Sequence, residues 1–438
     1  MFELVFDEKG GLRSAHTFAD DVRAAAVTDL FVFSHGWNTS EDDARKTYDQ
    51  FFPLVAAAAE GVAGLGKVGF ASVFWPSLWF PDSPATAAAT SVAAGSAHAA
   101  GAATQDRSGT DALSGTEIAE SLALGFADPA QRRTVAARGR LIDETAHAAS
   151  AGASDEAIAQ RLLEFHATLR SLAPPVPDFE DAGERALLAS TEPVRDYQTL
   201  AEVFGSTPAA GAQQGLGDWF GNAVNGAKDA LRVFSYTTMK ARAGTIGRTG
   251  LGPQLAKLRG VRVHLIGHSF GARLVSFALA GVGPAATSPV ASLLLLQGAF
   301  SHWSFAHAKD NPFGADGTLH GVVDRVRGPL VATFSVHDFA VCRWYPKASC
   351  LARQDESATV GDRWGGMGSD GFQAVAPVVD KGLRVEGGTG FGFRSGTFYR
   401  VNANNVISNE KLQGFAGAHN DFQKPAVAQL AVAAAAHS

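Results

Sequence analysis

Short apolar runs recur along the chain, each closed by a glycine or polar turn and then a helical pattern. They include DLFVFSHG (29–36), VGFASVFW (68–75), RVHLIGHS (262–269), SLLLLQGAF (292–300) and GPLVATFSVHD (328–338). None alternates strictly between apolar and polar positions, so each reads as a strand buried on both faces. Strands of that kind, interleaved with helices, predict an α/β fold: a mostly parallel sheet with helices on both sides. FELVF at the start and TFYRVNANNVI (397–407) complete the expected sheet, and AVAQLAVAAAAHS is the expected closing helix. Ser40 should cap the helix after the first long strand, with Glu41, Asp42 and Asp43 favoured by the positive end of its dipole.

Between about Pro81 and Asp218 this rhythm breaks. Alanine fills half of residues 83–104, and three helical patterns follow: TEIAESLALGFA, QRRTVAARGRLIDETAHAA and SDEAIAQRLLEFHATLRSLA. Residues 81–218 are read as a helical, Ala-rich insertion within one domain spanning 1–438, because they separate two strands expected to be sheet neighbours. The insertion leaves from a strand tip, and in a parallel sheet the tips of the following strands lie on that same edge, so it is expected to cap that edge.

The 438 residues hold 37 basic and 43 acidic side chains, a formal net charge of −6. No basic excess is present to displace counterions from phosphates, so nucleic acid is not an expected partner. The opening MFELVFDEKGG has neither a basic nor an apolar segment of the secretory kind, and no run of about 18 apolar residues could span a bilayer. A cytoplasmic protein without a transmembrane segment is expected. Cys342 and Cys350 cannot build a disulfide framework or a zinc site alone. There is no HExxH, no CxxC and no GxGxxG opening a helix, so neither metal nor dinucleotide cofactor is implied.

The sharpest motif is Gly267-His268-Ser269-Phe270-Gly271, set between an apolar strand and the helical ARLVSFALA. Two glycines let strand and helix approach closely and lift the Ser269 hydroxyl out at the strand tip, the context a nucleophile elbow requires. Earlier, His35-Gly36-Trp37 closes a strand, and glycine there lets the backbone approach a substrate oxyanion. On these two motifs the chain resembles the α/β-hydrolase superfamily, specifically its serine esterase and lipase-like members. The resemblance covers residues 1–80 and 220–438.

The resemblance implies an oxyanion hole from the backbone N–H groups of Trp37 and Phe270. It also implies the chain order serine, acid, histidine. Asp338, after the strand VATFS, is the acid in that order, with Asp310 and Asp316 as rivals and Asp324 at the wrong strand end. His419, before the closing helix, is the base, with His302, His307 and His320 as rivals that fall before the acid. Asp421 could cap the closing helix, and His268 reads as structural. The expected substrate is a small-molecule or lipid carboxylic ester, with Trp75, Leu78, Trp79 and Phe80 favouring acyl or aromatic groups. Thioesterase and peptidase chemistry use the same machinery, and a catalytically silent fold that binds protein through the insertion is the contrasting expectation. Oligomeric state is not legible.

Overall fold

The computed structural model describes residues 1–13, 17–77, 113–126, 128–172, 190–204, 216–344, 365–386, 390–412 and 416–437. The chain begins with β1 (Phe2–Val5), α1 (Phe18–Ala24), β2 (Asp29–Ser34), α2 (Glu41–Ala59) and β3 (Val68–Phe74). A helical stretch follows: α3 (Gly115–Ala123), α4 (Pro129–Ser150), α5 (Asp155–Leu172), α6 (Pro193–Phe204) and α7 (Leu216–Thr245). A π-helical turn (Ile246–Leu251) and α8 (Gly252–Leu255) lead into β4 (Arg262–His268), α9 (Phe270–Gly281), β5 (Val290–Leu296) and β6 (Leu330–Phe334). The chain ends with α10 (Met367–Asp370), β7 (Val378–Gly382), β8 (Phe398–Asn402) and α11 (Pro425–Ala436).

The eight strands form one sheet in the order β1-β3-β2-β4-β5-β6-β8-β7. Every pairing is parallel. Parallel strands need long crossovers, and the helices that supply them bury both sheet faces. One face carries α2 and α11, whose Tyr48, Phe51, Phe52, Val427, Leu430 and Val432 pack with Phe31, Phe33 and Leu294 of the sheet. The other face packs Leu30, Val32, Val73 and Leu265 with Phe18, Val22, Leu274 and Phe277, and that core continues into the insertion through Ile118, Ile142, Phe165 and Tyr197. Ser40 caps α2 as expected, its Oγ accepting the Asp43 N–H at 3.1 Å.

Two expectations are corrected. The strands on either side of the insertion, β3 and β4, are not neighbours; each pairs with a different edge of β2. β2 is the more completely buried strand, apolar on both faces, and takes the place between them. The helical region also runs past residue 218, because α7 continues to Thr245 before the chain returns to the sheet. The Ala-rich segment 83–104 lies outside the described residues, as do Leu78, Trp79, Phe80 and Cys350.

Arg242 of α7 ties this region to the sheet. Its Nη1 donates to the Pro76 carbonyl at 2.8 Å and its Nη2 to the Gly125 carbonyl at 2.7 Å. Burial lowers its pKa to about 10, so the guanidinium stays charged at neutral pH. No described helix is long and apolar enough to cross a membrane.

Candidate active site

β3, β2 and β4 end level, since Ser34 lies opposite Val73 on one side and Gly267 on the other. The loops that carry the predicted site residues all leave from this carboxyl edge, where open parallel sheets bind their ligands.

Ser269 sits between β4 and α9 at φ 57°, ψ −123°, a left-handed backbone that a non-glycine residue adopts only under constraint. The constraint comes from the glycines around it. A Cβ on Gly267 would lie 2.4 Å from the Gly271 carbonyl oxygen, and one on Gly271 would lie 2.1 Å from that of Ser34. Strand and helix therefore meet backbone to backbone. The Ser269 N–H donates to Leu296 O at 3.1 Å and its carbonyl accepts from Ala299 at 3.2 Å, pinning the turn to the tip of β5.

The His35-Gly36-Trp37 turn lies directly beside the serine. A Cβ on Gly36 would come within 2.8 Å of Ser269 Cβ and 3.3 Å of Ser269 Oγ. Among the described residues neither the Trp37 N–H nor the Phe270 N–H has a hydrogen-bond acceptor. The Phe270 N–H opens α9, where no intrahelical acceptor exists. Their side chains form an aromatic cluster with Tyr236 of α7, whose ring centroid lies 4.8 Å from Phe270 and 5.8 Å from Trp37. His35 is buried behind the turn, stacked on Trp75, with its Nδ1–H on the Gly36 carbonyl at 3.0 Å. Burial lowers its pKa to about 4, so the ring is neutral. Trp75 donates its indole N–H to the His35 carbonyl and is buried, so it supports the turn from behind.

Asp338 and His419 come together. His419 Nδ1 donates to Asp338 Oδ2 at 2.8 Å across 81 positions of sequence. Their loops are joined by an antiparallel bridge between Asp338 and Gly417 and by Ala418 N–H on the His337 carbonyl at 2.8 Å. Gly417 has φ 60°, and a Cβ there would lie 2.5 Å from His337 O, so only glycine permits this approach. Asp338 is fully buried and its carboxylate is well supplied with donors: Val341 N–H on Oδ1 at 3.1 Å and Gln297 Nε2 on Oδ2 at 3.0 Å.

His268 links His419 to the end of β4. Its Nε2–H donates to the His419 carbonyl at 2.9 Å, its ring lies 4.7 Å from the His419 ring, and it stacks on Phe422 at 4.3 Å. Burial, reinforced by neighbouring His419, pushes its pKa well below the usual histidine range, so it serves as a neutral donor. Ser269 Oγ makes no hydrogen bond to His419 Nε2 here.

The rival residues are engaged elsewhere. His302 Nδ1 bonds Asp370 Oδ1 at 2.7 Å, and Asp316 accepts from Ala308 N–H at 2.7 Å. Asp310 and Asp324 are exposed. Asp421 does not cap α11, where Lys424 is the N-cap; its Oδ2 instead accepts the Ser408 and Asn409 N–H groups, both at 2.9 Å. Cys342 directs its Sγ to the Ser335 carbonyl at 3.3 Å.

Gln297 is the residue that sequence reasoning missed. It is fully buried at φ 48°, donates to Asp338, and accepts from Thr333 Oγ1 at 2.9 Å. The available signal was an amide directly after the four-leucine run Leu293–Leu296 that closes β5. By its fold the chain is an α/β protein with a single all-parallel sheet. No family model, curated protein or solved structure matches it.

Proposed function

We propose that this chain is a serine hydrolase of the α/β-hydrolase superfamily that cleaves carboxylic esters through an acyl-enzyme. The observation that carries the reading is the strained backbone of Ser269, held beside Gly36 at the same sheet edge as a buried Asp338–His419 pair. A strained serine backbone costs stability and persists where the surroundings over-determine it, as they do in active sites.

In this reading Ser269 Oγ attacks the ester carbonyl while His419 Nε2 takes its proton. Asp338 fixes the His419 tautomer by accepting Nδ1–H and stabilises the imidazolium that forms. The Trp37 and Phe270 N–H groups, left without acceptors, donate to the oxyanion of the tetrahedral intermediate. His419 then protonates the leaving alcohol, and water repeats the sequence to release the acid. Tyr236, reaching the oxyanion turn from α7, supports the view that the helical region borders the acyl site as a cap.

Labelling with a fluorophosphonate probe tests the reading. Wild type should be labelled and turn over p-nitrophenyl esters, and Ser269→Ala should do neither. Folded wild type that is not labelled, or labelling undiminished in Ser269→Ala, overturns it. An acyl-length series beside thioester and peptide panels then assigns the bond cleaved.

A further inference from the structure

The loop between β5 and β6 gathers two imidazoles and a carboxylate outside the serine site. We propose that His307, Asp316 and His320 bind one transition-metal dication of the zinc class. One nitrogen from each ring and one carboxylate oxygen lie within 4.8 Å of one another. The two rings stand perpendicular with centroids 5.2 Å apart.

The backbone of this loop brings the three side chains together. Gly317 N–H bonds Ala306 O at 2.9 Å and Leu319 N–H bonds Ser304 O at 2.7 Å, closing the loop at its neck. The crossing demands glycine at 317, where a Cβ would lie 2.2 Å from the Trp303 carbonyl oxygen. Asn311 braces the far end, its Nδ2 on Ala315 O at 2.8 Å and its Oδ1 accepting the Phe313 N–H at 3.1 Å. His307 and Asp316 therefore face each other from the two arms, and His320 follows one turn on.

Local hydrogen bonds orient two of the three donors. His320 Nδ1–H points at the Phe305 carbonyl at 3.3 Å, which leaves the Nε2 lone pair for an ion. Asp316 Oδ1 accepts the Ala308 N–H at 2.7 Å and holds the carboxylate in place. Such outer contacts are the usual support of metal-binding histidines and carboxylates. His307 Nδ1 accepts the Lys309 N–H at 3.0 Å, so binding through Nε2 moves a proton to Nδ1 and gives up that local contact.

The donor set selects the ion. Two neutral imidazoles and one carboxylate favour Zn²⁺, Co²⁺, Ni²⁺ or Cu²⁺ over Mg²⁺ or Ca²⁺, which prefer all-oxygen shells. Zinc ligands sit at about 2.0–2.2 Å, so the donors must draw in by roughly 1 Å, a small rotation for side chains that are exposed or half-exposed. Water completes the coordination. The spacing of nine and then four residues matches no familiar motif, which is why the linear sequence does not announce it.

The test uses full-length protein freed of metal by chelator dialysis and titrated with Co²⁺, followed by visible absorption, and with Zn²⁺, followed by calorimetry. One saturable site per chain is expected, weakened at least tenfold in His307→Ala, Asp316→Asn and His320→Ala and unaffected by millimolar Mg²⁺ or Ca²⁺. Circular dichroism checks each variant's fold; should His320→Ala fail to fold, the two exposed positions decide the matter. No saturable binding by wild type, or affinity unchanged in the folded variants, overturns the proposal.

Discussion

Gln297 Nε2 donates to the same Asp338 oxygen that accepts the His419 Nδ1–H, at 3.0 and 2.8 Å respectively. Gln297 holds this position in a left-handed backbone conformation, locked at its other end by Thr333. In the proposed reading its role is to position: it holds the carboxylate that in turn holds the His419 ring. Replacing it by alanine should lower kcat about tenfold with KM little changed, the order of loss seen when an outer hydrogen bond to a functional group is removed. Steady-state ester kinetics on Gln297→Ala check this; a change confined to KM would place the residue against substrate instead.

Gly36 and Gly271 should respond differently to the same substitution. A Cβ at 271 meets the Ser34 and His35 carbonyl oxygens at 2.1 and 2.4 Å, and neither backbone can yield without parting β2 from α9. Gly271→Ala should therefore lower the urea midpoint sharply or prevent folding. At 36 the nearest atoms belong to Ser269 and the His268 ring, at 2.8 to 3.3 Å. Gly36→Ala should fold yet lose most fluorophosphonate labelling, because the methyl crowds Ser269 itself.

How much of this was legible beforehand depended on burial. The strands buried on both faces stood out as unbroken apolar runs, and the edge that carries the site followed from their being parallel. β7 did not stand out, because VVDKG pairs only with β8, is largely exposed, and needs no apolar face. α7 was obscured by its glycines. Gly226 reads as a helix breaker, but a Cβ there would lie 1.6 Å from the Tyr197 carbonyl, so it is the point where α6 and α7 touch. Asp338 and His419 were legible as residues in loops at the expected edge. Their joining through Gly417, and the support from Gln297 and His268, depend on contacts between segments far apart in sequence, which no local pattern encodes.

Ser269→Ala and His419→Ala should each reduce ester turnover by roughly 10⁴-fold or more, and the double variant should be hardly worse than either, because a nucleophile and its base act as one unit. Asp338→Asn keeps the shape but presents a donor where His419 needs an acceptor, so it should cost nearly as much. His302→Ala is the control. His302 bonds Asp370, and losing it should leave turnover near wild type if His419 is the base. Turnover abolished in His302→Ala and retained in His419→Ala would reverse the assignment.

Stability should fall between pH 7 and pH 5, earlier than carboxylate titration alone would produce. Three buried histidines account for this. Burial is the leading cause in each: it holds His35 at about 4, His268 well below the usual range, and His264 lower than usual against the opposing pull of Asp29. In the unfolded chain the same rings take up protons near pH 6.5. A group whose folded pKa is depressed stabilises fully above its unfolded pKa and loses that contribution as pH falls toward the folded value. For His35 alone the loss between pH 8 and pH 5 comes to about 2 kcal/mol. Asp29 acts later. Burial would raise its pKa, but hydrogen bonds from His264, Arg262 and the Gly66 N–H outweigh that and hold it far below the carboxylate range. Its contribution therefore persists down to about pH 4 and is lost only below it. Urea midpoints measured at unit intervals from pH 8 to pH 4 should decline from about pH 6.5. His35→Gln, less stable at neutral pH through the lost stacking on Trp75, should show a shallower decline by one proton's worth. An equal decline in wild type and variant would mean that His35 takes up its proton in the folded chain as readily as in the unfolded one.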